Sequence, residues 1–368
     1  MEPEKTIKIA VTGAYGFIGS HVSEILSRSG YDVVRIGKEQ FQESLKEAIA
    51  NCDAIVHLAG MNRGPEQSVY ETNIDLAKKL IAAIGTRKPH IIFSSSTQQR
   101  LDNPYGRSKQ AAADLLKQWA TQNGGSCTTL IIPNVFGDRC KPFYNSVVAT
   151  FCHQLLNGET PTILEDKEIE LVHVNTVAFH ILRLLQQPPK TGEETIIGEK
   201  KIRVSKLLQT LQQFMELRKK QVIPDITDPF VRNLYTTLDS YATGSDRVHN
   251  PELKTDNRGW LFEAIKMEHA GQIFLSVTKP GVTRGQHFHF GKLEKFCVIQ
   301  GEAIIRLEHP DTKEIIEYRV TGPSCVDIPV FHPHNIENVG QIDLLTLFWS
   351  SDIFDPTNPD THPKTVGK

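Results

Sequence analysis

No apolar run in this chain approaches the roughly 20 residues that a helix needs to cross a bilayer, so a membrane-embedded function is not expected. Charge of one sign is also missing. Against 41 Lys and Arg stand 43 Asp and Glu, a formal net charge of −2, which offers no electrostatic footprint for nucleic acid or an anionic membrane. The six cysteines (Cys52, Cys127, Cys140, Cys152, Cys297, Cys325) form no CxxC pair and no dense framework, so reduced thiols are expected in place of disulfides or a thiolate zinc site. The start, MEPEKTIKIAVTG, has no signal-peptide apolar region and runs directly into a folded-domain motif. Internal repeats and low-complexity segments are absent too, and a cytoplasmic protein is the expectation.

At 368 residues the chain is long enough for about two or three domains. Up to about residue 185, β-rich apolar runs at 8–11, 33–36, 55–58, 91–93 and 130–132 alternate with helical stretches. That alternation predicts repeated βαβ units and an α/β, Rossmann-type doubly wound parallel sheet. Residues 190–250 are mixed, with an amphipathic helix near 207–217, and read as the end of this domain and a connector. From about 255 only short strands follow, broken by KPG, TRG, HPD and TGP turns and ending in the polar tail DPTNPDTHPK. Many short strands with Gly and Pro turns predict an all-β barrel or jelly roll. The expected division is residues 1–250 and 251–368.

TGAYGFIG follows the first strand and opens a helix. Gly13, Gly16 and Gly19 permit a tight turn, close approach of backbone N–H groups to a pyrophosphate and close helix packing, with Tyr15, Phe17 and Ile18 in the same loop and helix start. At the end of the second strand, where an acid would hold the ribose of NAD, YDVVRIGK supplies Arg35 and Lys38. Cations there favour the 2′-phosphate of NADPH. HLAG, with Leu58, Ala59 and Gly60, follows a later strand, and its small residues allow a cofactor to lie close.

In FSSSTQQRLDNPYGRSK, Tyr105 and Lys109 lie four apart at a helix start and share a face. Carbonyl reduction needs a proton donor as hydride arrives. A tyrosine acidified by a neighbouring ammonium supplies it, and Ser96 can polarise the same oxygen. Together, TGxxGxxG, the serine and YxxxK resemble the extended short-chain dehydrogenase/reductase family over residues 6–185. The resemblance implies that Ser96 polarises, Tyr105 donates and Lys109 activates, with Tyr105 and Lys109 also touching the cofactor. Thr97 and Gln98 replace the pair that dehydratases of this family carry after the serine, so sugar 4,6-dehydration is not expected. PNVFG is similar to the family's NVYG segment, whose asparagine meets a sugar-nucleotide phosphate; Asn134 matches it. EQFQESLKEA lacks the family's acid for adenine.

Residues 281–301, GVTRGQHFHFGKLEKFCVIQG, fit the spacing G-x5-HxH-x4-E-x6-G at every position, the pattern of the first cupin motif. GPSCVDIPVFHPHNIEN resembles the second, with Phe331 where glycine is usual. His287, His289, Glu294 and His334 make a mixed N/O donor set for a divalent metal, zinc foremost, with iron, manganese or nickel as alternatives. DNRGWLFE and PGVTRGQH resemble segments of dTDP-4-dehydrorhamnose 3,5-epimerases, which implies Glu263 as a site carboxylate and His287 as a catalytic base. His287 therefore has two candidate roles, ligand and base.

Over essentially its whole length the chain resembles the CapF family (also called FnlB and WbjC), bifunctional enzymes of capsular polysaccharide and O-antigen synthesis. The resemblance implies that the cupin epimerises carbon 3 of a UDP-2-acetamido-2,6-dideoxy-4-keto hexose. The reductase then delivers hydride from NADPH to carbon 4, giving UDP-N-acetyl-6-deoxy-L-talosamine. A homodimer is implied as well. Three rivals stand beside this reading: a UDP-sugar 4-epimerase with an appended cupin, a non-catalytic NADP and ligand sensor, and a cupin oxygenase.

Overall fold

The apolar stretch Lys8–Thr12 forms strand β1, with Ile9, Ala10 and Val11 buried. The structure, a computed structural model, describes residues 6–367, so the first five residues of the MEPEKTIKIAVTG start lie outside the described residues. Contacts group the chain into two compact units: residues up to Gln212 with Asn233–Tyr241, and Gln213–Arg232 with the chain from Ala242 on. No helix among the described residues is long and apolar enough to cross a membrane.

In the first unit β1 is followed by α1 (Phe17–Arg28), β2 (Asp32–Ile36), α2 (Lys38–Glu43), α3 (Leu45–Ala48), β3 (Ala54–His57) and α4 (Glu66–Ile84). Next come β4 (His90–Ser96), α5 (Pro104–Asn123), β5 (Ser126–Ile132), β6 (Asn134–Phe136), α6 (Val147–Leu156) and β7 (Glu168–His173). Then follow α7 (Val174–Leu185), β8 (Gly192–Thr195), β9 (Lys200–Arg203) and α8 (Val204–Lys219), whose residues from Gln213 on group with the second unit. Six strands pair in parallel in the order β2-β1-β3-β4-β5-β8. The stretch after residue 190 thus supplies the sheet's last strand.

Strand alternation feeds two cores. Ala10, Ile55 and Ile91 pack with Leu80 and Leu116 of α4 and α5, whereas Ile9, Val11, Val56 and Ile92 pack with Val22 and Leu26 of α1 and Ile181 of α7. Helices cover both faces, which is the doubly wound arrangement. Burying each such side chain contributes about 1.5–3 kcal/mol, which is why these strands read as continuous apolar runs. The chain leaves β1 toward β2 on one side and passes from β3 to β4 on the other. That reversal sets the loops after β1 and β3 side by side at the carboxyl ends of the strands, the place where open α/β sheets bind ligands.

The second unit opens with β10 (Val222–Ile223); past α9 (Pro229–Ser240) come β11 (Lys254–Asp256), β12 (Gly259–Met267), β13 (Gly271–Thr278) and β14 (Thr283–Phe288). They continue with β15 (Glu294–Gln300), β16 (Glu302–Glu308), β17 (Ile315–Thr321) and β18 (Ser324–Ile328). Last are β19 (His334–Asn338), β20 (Leu344–Ser350) and β21 (His362–Pro363). One sheet runs β10-β12-β13-β20-β15-β18 and the other β17-β16-β19-β14-β21. Phe296, Val298 and Phe348 of the first meet Ala303, Ile305, Leu307 and Ile336 of the second in one core. The result is the cupin-like two-sheet β domain expected from the short strands.

Candidate functional site

The glycine loop of the first unit is built by close approach. Gly13 has φ 68°, and a Cβ there would lie 2.9 Å from Ala59 N; at Gly19 it would lie 2.1 Å from Gly13 O. Only glycine lets α1 seat on this loop beside the HLAG turn. The turn is tied across by Leu58 N–H donating to Thr12 O at 3.2 Å and Ala59 N–H to Thr12 Oγ1 at 3.3 Å. Tyr15, Gly16 and Gly60 are exposed, and Phe17, Ile18, Leu58 and Ala59 are half-buried, so the cradle is open where the N-terminus of α1 faces it. Arg35 is exposed on β2 but already faces Glu24 at 3.6 Å, and Lys38 opens α2. A 2′-phosphate would therefore compete with a carboxylate for Arg35.

Ser96 ends β4, and Tyr105 and Lys109 lie on α5, whose start is set by the Asn103 cap and Pro104. Asn103 Oδ1 accepts from Gly106 N at 2.7 Å. A Cβ on Gly106 would come within 2.2 Å of Gln98 O, so the glycine lets α5 press against the turn after β4 and brings Tyr105 into hydrogen bonding with Ser96. Ser96 Oγ accepts from Gln98 N at 3.2 Å, which leaves its own proton to give. Burial raises the Tyr105 hydroxyl to about 12, with the Ser96 bond acting the other way. The expected acidified tyrosine is not what this conformation holds. Lys109 donates to Ser94 O at 2.9 Å and lies 6.0 Å from the centre of the Tyr105 ring, and burial lowers its ammonium to about 8.

Sequence reading missed Asn73. Buried on α4, it donates to Met61 O at 2.8 Å and to Ser108 Oγ at 2.9 Å and accepts from Met61 N at 2.8 Å. It fixes the segment after HLAG against α5 next to Lys109. Its signal was a polar residue on the buried stripe of an amphipathic helix. Asn134, half-tied to Glu170 O at 3.1 Å, lines a cavity of about 420 Å³ with Arg63, Tyr144, Lys167 and Leu171. Arg63 donates to the carbonyls of Phe143 and Tyr144 at 2.8 and 2.6 Å, closing one wall.

In the second unit the structure brings His287, His289, Glu294 and His334 together, with one donor atom of each within 4.8 Å of the others. His289 Nε2 and His334 Nε2 lie 3.1 and 3.2 Å from Glu294 Oε2, yet both are buried nitrogens without a hydrogen bond. Orphaned imidazole nitrogens converging on a carboxylate are what a divalent cation would satisfy, so the donor set fits a metal. Burial works to raise Glu294, but the two imidazoles outweigh it and hold the carboxyl well below its ordinary range. Burial first, then the charge of His334, lowers His287 to about 4, so it is neutral at pH 7.

Local backbone devices aim these rings. A bulge between Gly285 and His287, with Gln286 at φ 68°, sets His287 directly opposite His334. Phe331 takes φ 63°, the left-handed conformation that glycine would adopt, and its N–H donates to His289 O at 2.7 Å. The turn of the second motif is therefore kept without its glycine. His334 Nδ1 pairs with His332 O at 2.9 Å, and His289 Nδ1 with Asp360 O. Among the described residues no side-chain hydrogen bond fixes the His287 ring, which packs against the imidazoles of His289 and His334.

The tail that reads as polar is a strap. Asp360 accepts from the N–H groups of Phe290, Gly291 and Lys292 at 2.9, 2.9 and 3.0 Å, β21 pairs with β14, and Val366 N donates to Gln286 Oε1 at 2.7 Å. Glu263, by contrast, is not brought to the cluster. It faces Lys266 at 3.3 Å and Lys254 at 3.8 Å on β12, three strands from the β15 that carries Glu294. At about 4.8 Å per strand that is roughly 14 Å away.

Residues 9–198 match the NAD dependent epimerase/dehydratase family, and residues 254–362 match the polysaccharide biosynthesis C-terminal domain. The UDP-2-acetamido-2,6-beta-L-arabino-hexul-4-ose reductase of Pseudomonas aeruginosa is 32% identical over 371 residues, covering 98% of this chain and 100% of that one. The crystal structure of the capsular polysaccharide assembling protein CapF from Staphylococcus aureus aligns over 97% of this chain and 100% of its own, at 35% identity and TM-score 0.86. CapF with the inhibitor 3-isopropenyl-tropolone aligns over 98% and 100%, at 32% identity and TM-score 0.81.

Proposed function

From the premise that this chain belongs to the CapF family of nucleotide-sugar epimerase/reductases, we propose that it processes a UDP-2-acetamido-2,6-dideoxy-4-keto hexose in two steps. Residues 251–368 epimerise carbon 3. Residues 1–250 then reduce the carbon 4 ketone with NADPH, yielding UDP-N-acetyl-6-deoxy-L-talosamine for capsule or O-antigen synthesis. A cytoplasmic homodimer completes the reading.

The observation that carries it is the Ser96, Tyr105 and Lys109 arrangement, because a protein that only binds nucleotide has no need of a buried proton donor. The glycine loop would hold a nicotinamide cofactor, which when bound would supply the hydride. Ser96 gives its free proton as a hydrogen bond to the ketone oxygen, Tyr105 transfers its hydroxyl proton to that oxygen, and the Lys109 ammonium offsets the charge left on the phenolate. Asn134 holds the substrate's diphosphate in the cavity beside Arg63. In the second unit His289, Glu294, His334 and His287 would hold a divalent ion, zinc first among candidates, which when bound would polarise the sugar's oxygens. His287, whose ring no side-chain hydrogen bond anchors, serves either as the fourth ligand or as the base that accepts the proton from carbon 3. Glu263 enters only as a more distant carboxylate.

The test is consumption of NADPH absorbance with the UDP-4-keto-6-deoxy sugar. The wild type should oxidise the coenzyme, and Tyr105→Phe should be slower by about 10²–10⁴-fold while still binding NADPH. A 4-epimerase would leave free NADPH unconsumed, and that result would replace this reading.

A further inference from the structure

Cys297 on β15 and Cys325 on β18 occupy paired positions of the antiparallel register, and Cys325 Sγ donates to Cys297 Sγ at 2.9 Å. Opposed residues on such strands have Cα atoms about 4.5–5.5 Å apart, inside the roughly 4.4–6.8 Å that a disulfide accepts. Alternation decides which way they point. Glu294, Phe296 and Val298 of β15 are buried, whereas Cys297 is half-buried and Cys325 exposed. The next pair outward, Lys295 and Asp327, is an ion pair at 2.6 Å, so this face of the edge strand β18 meets solvent. Cys52, Cys127, Cys140 and Cys152 are all buried, and no other pair of thiols among the described residues is both adjacent and reachable.

We propose that Cys297 and Cys325 are a reversible oxidation site, closed to a disulfide by a low-molecular-weight disulfide and stapling edge strand β18 to the strand that carries Glu294. The thiolate of Cys325 attacks one sulfur of the oxidant, forms a mixed disulfide and expels one small thiolate. Cys297 gives its proton to solvent and attacks Cys325 Sγ, forming the protein S–S bond and expelling the second small thiolate. Two protein thiols lose two protons and two electrons, and one oxidant disulfide becomes two thiols. Burial and the neighbouring sulfur hold the Cys297 thiol above its ordinary range, in keeping with Cys325 attacking first. In a reducing compartment the pair rests as thiols, and the staple closes when the glutathione pool is oxidised.

The native full-length protein is incubated with oxidised glutathione, the remaining thiols are blocked under denaturing conditions, and the peptides are mapped by mass spectrometry. The expected result is one intrachain link between the Cys297 and Cys325 peptides, with two of the six thiols lost, reversal by dithiothreitol and a higher melting temperature for the oxidised form. Cys325→Ser, a surface change, should remove both the link and the melting shift. Cys297 and Cys325 still free after oxidation, links to other cysteines or between chains, or an oxidised form that melts no higher than the reduced one would each overturn the proposal.

Discussion

On the proposed mechanism Lys109 sets the pH behaviour of the first unit. Burial lowers its ammonium to about 8, and burial raises Tyr105 to about 12. As pH rises through about 8 the lysine loses its proton, while the tyrosine keeps the one it must donate. The rate of NADPH oxidation at saturating substrate should therefore hold below pH 8 and fall above it, as steady-state profiles will read directly; a rate that climbs above pH 8 would contradict this assignment. Ser96, Tyr105, Lys109 and the three glycines were legible because their chemistry depends on local spacing along a strand, a turn and one helix face. Asn73 was not, because its partners Met61 and Ser108 belong to different segments. The same limit explains Arg35, whose carboxylate partner Glu24 sits a helix away in sequence.

At the level of elements the C-terminal strap matters most. Its Asp360 backbone takes the Nδ1 side of His289, leaving Nε2 to face Glu294, and its carboxylate holds the turn at residues 290–292. Partners that orient a metal-binding imidazole typically contribute 10–100-fold in affinity. Asp360→Ala keeps that backbone carbonyl but removes the carboxylate that ties the strap to residues 290–292. Through loss of the strap's position it should weaken zinc binding, measured by competition with a chelator, by up to about that factor and leave NADPH binding unchanged; full retention of zinc affinity would show the strap to be mere covering. Composition hid this element, because DPTNPDTHPK contains the residues of turns and its partners lie some seventy positions earlier. Motif spacing did bring out the four clustered donors, on β14, just past its end, on β15 and on β19, and even the substitution at Phe331 left the turn intact. Similarity to DNRGWLFE names Glu263 but not its sheet position, which is on β12 facing Lys254 and Lys266.

At the scale of the whole molecule, the change from βαβ alternation to short strands announced two folds in one chain. Only pairing partners could show that residues 192–195 and 200–203 form strands β8 and β9 of the first unit, because four-residue strands rich in Lys and Glu carry no apolar signature. The proposed function assigns a ketone's proton donor to Tyr105 in the first unit and the proton transfer next to that ketone to the imidazole and carboxylate cluster in the second. The direct test of this pairing is incubation with the UDP-4-keto-6-deoxy sugar in deuterated water, with and without NADPH. Deuterium at carbon 3 without NADPH, and a 4-hydroxy sugar only with it, is the expected result; a wild-type enzyme that leaves carbon 3 unlabelled would contradict the epimerase assignment.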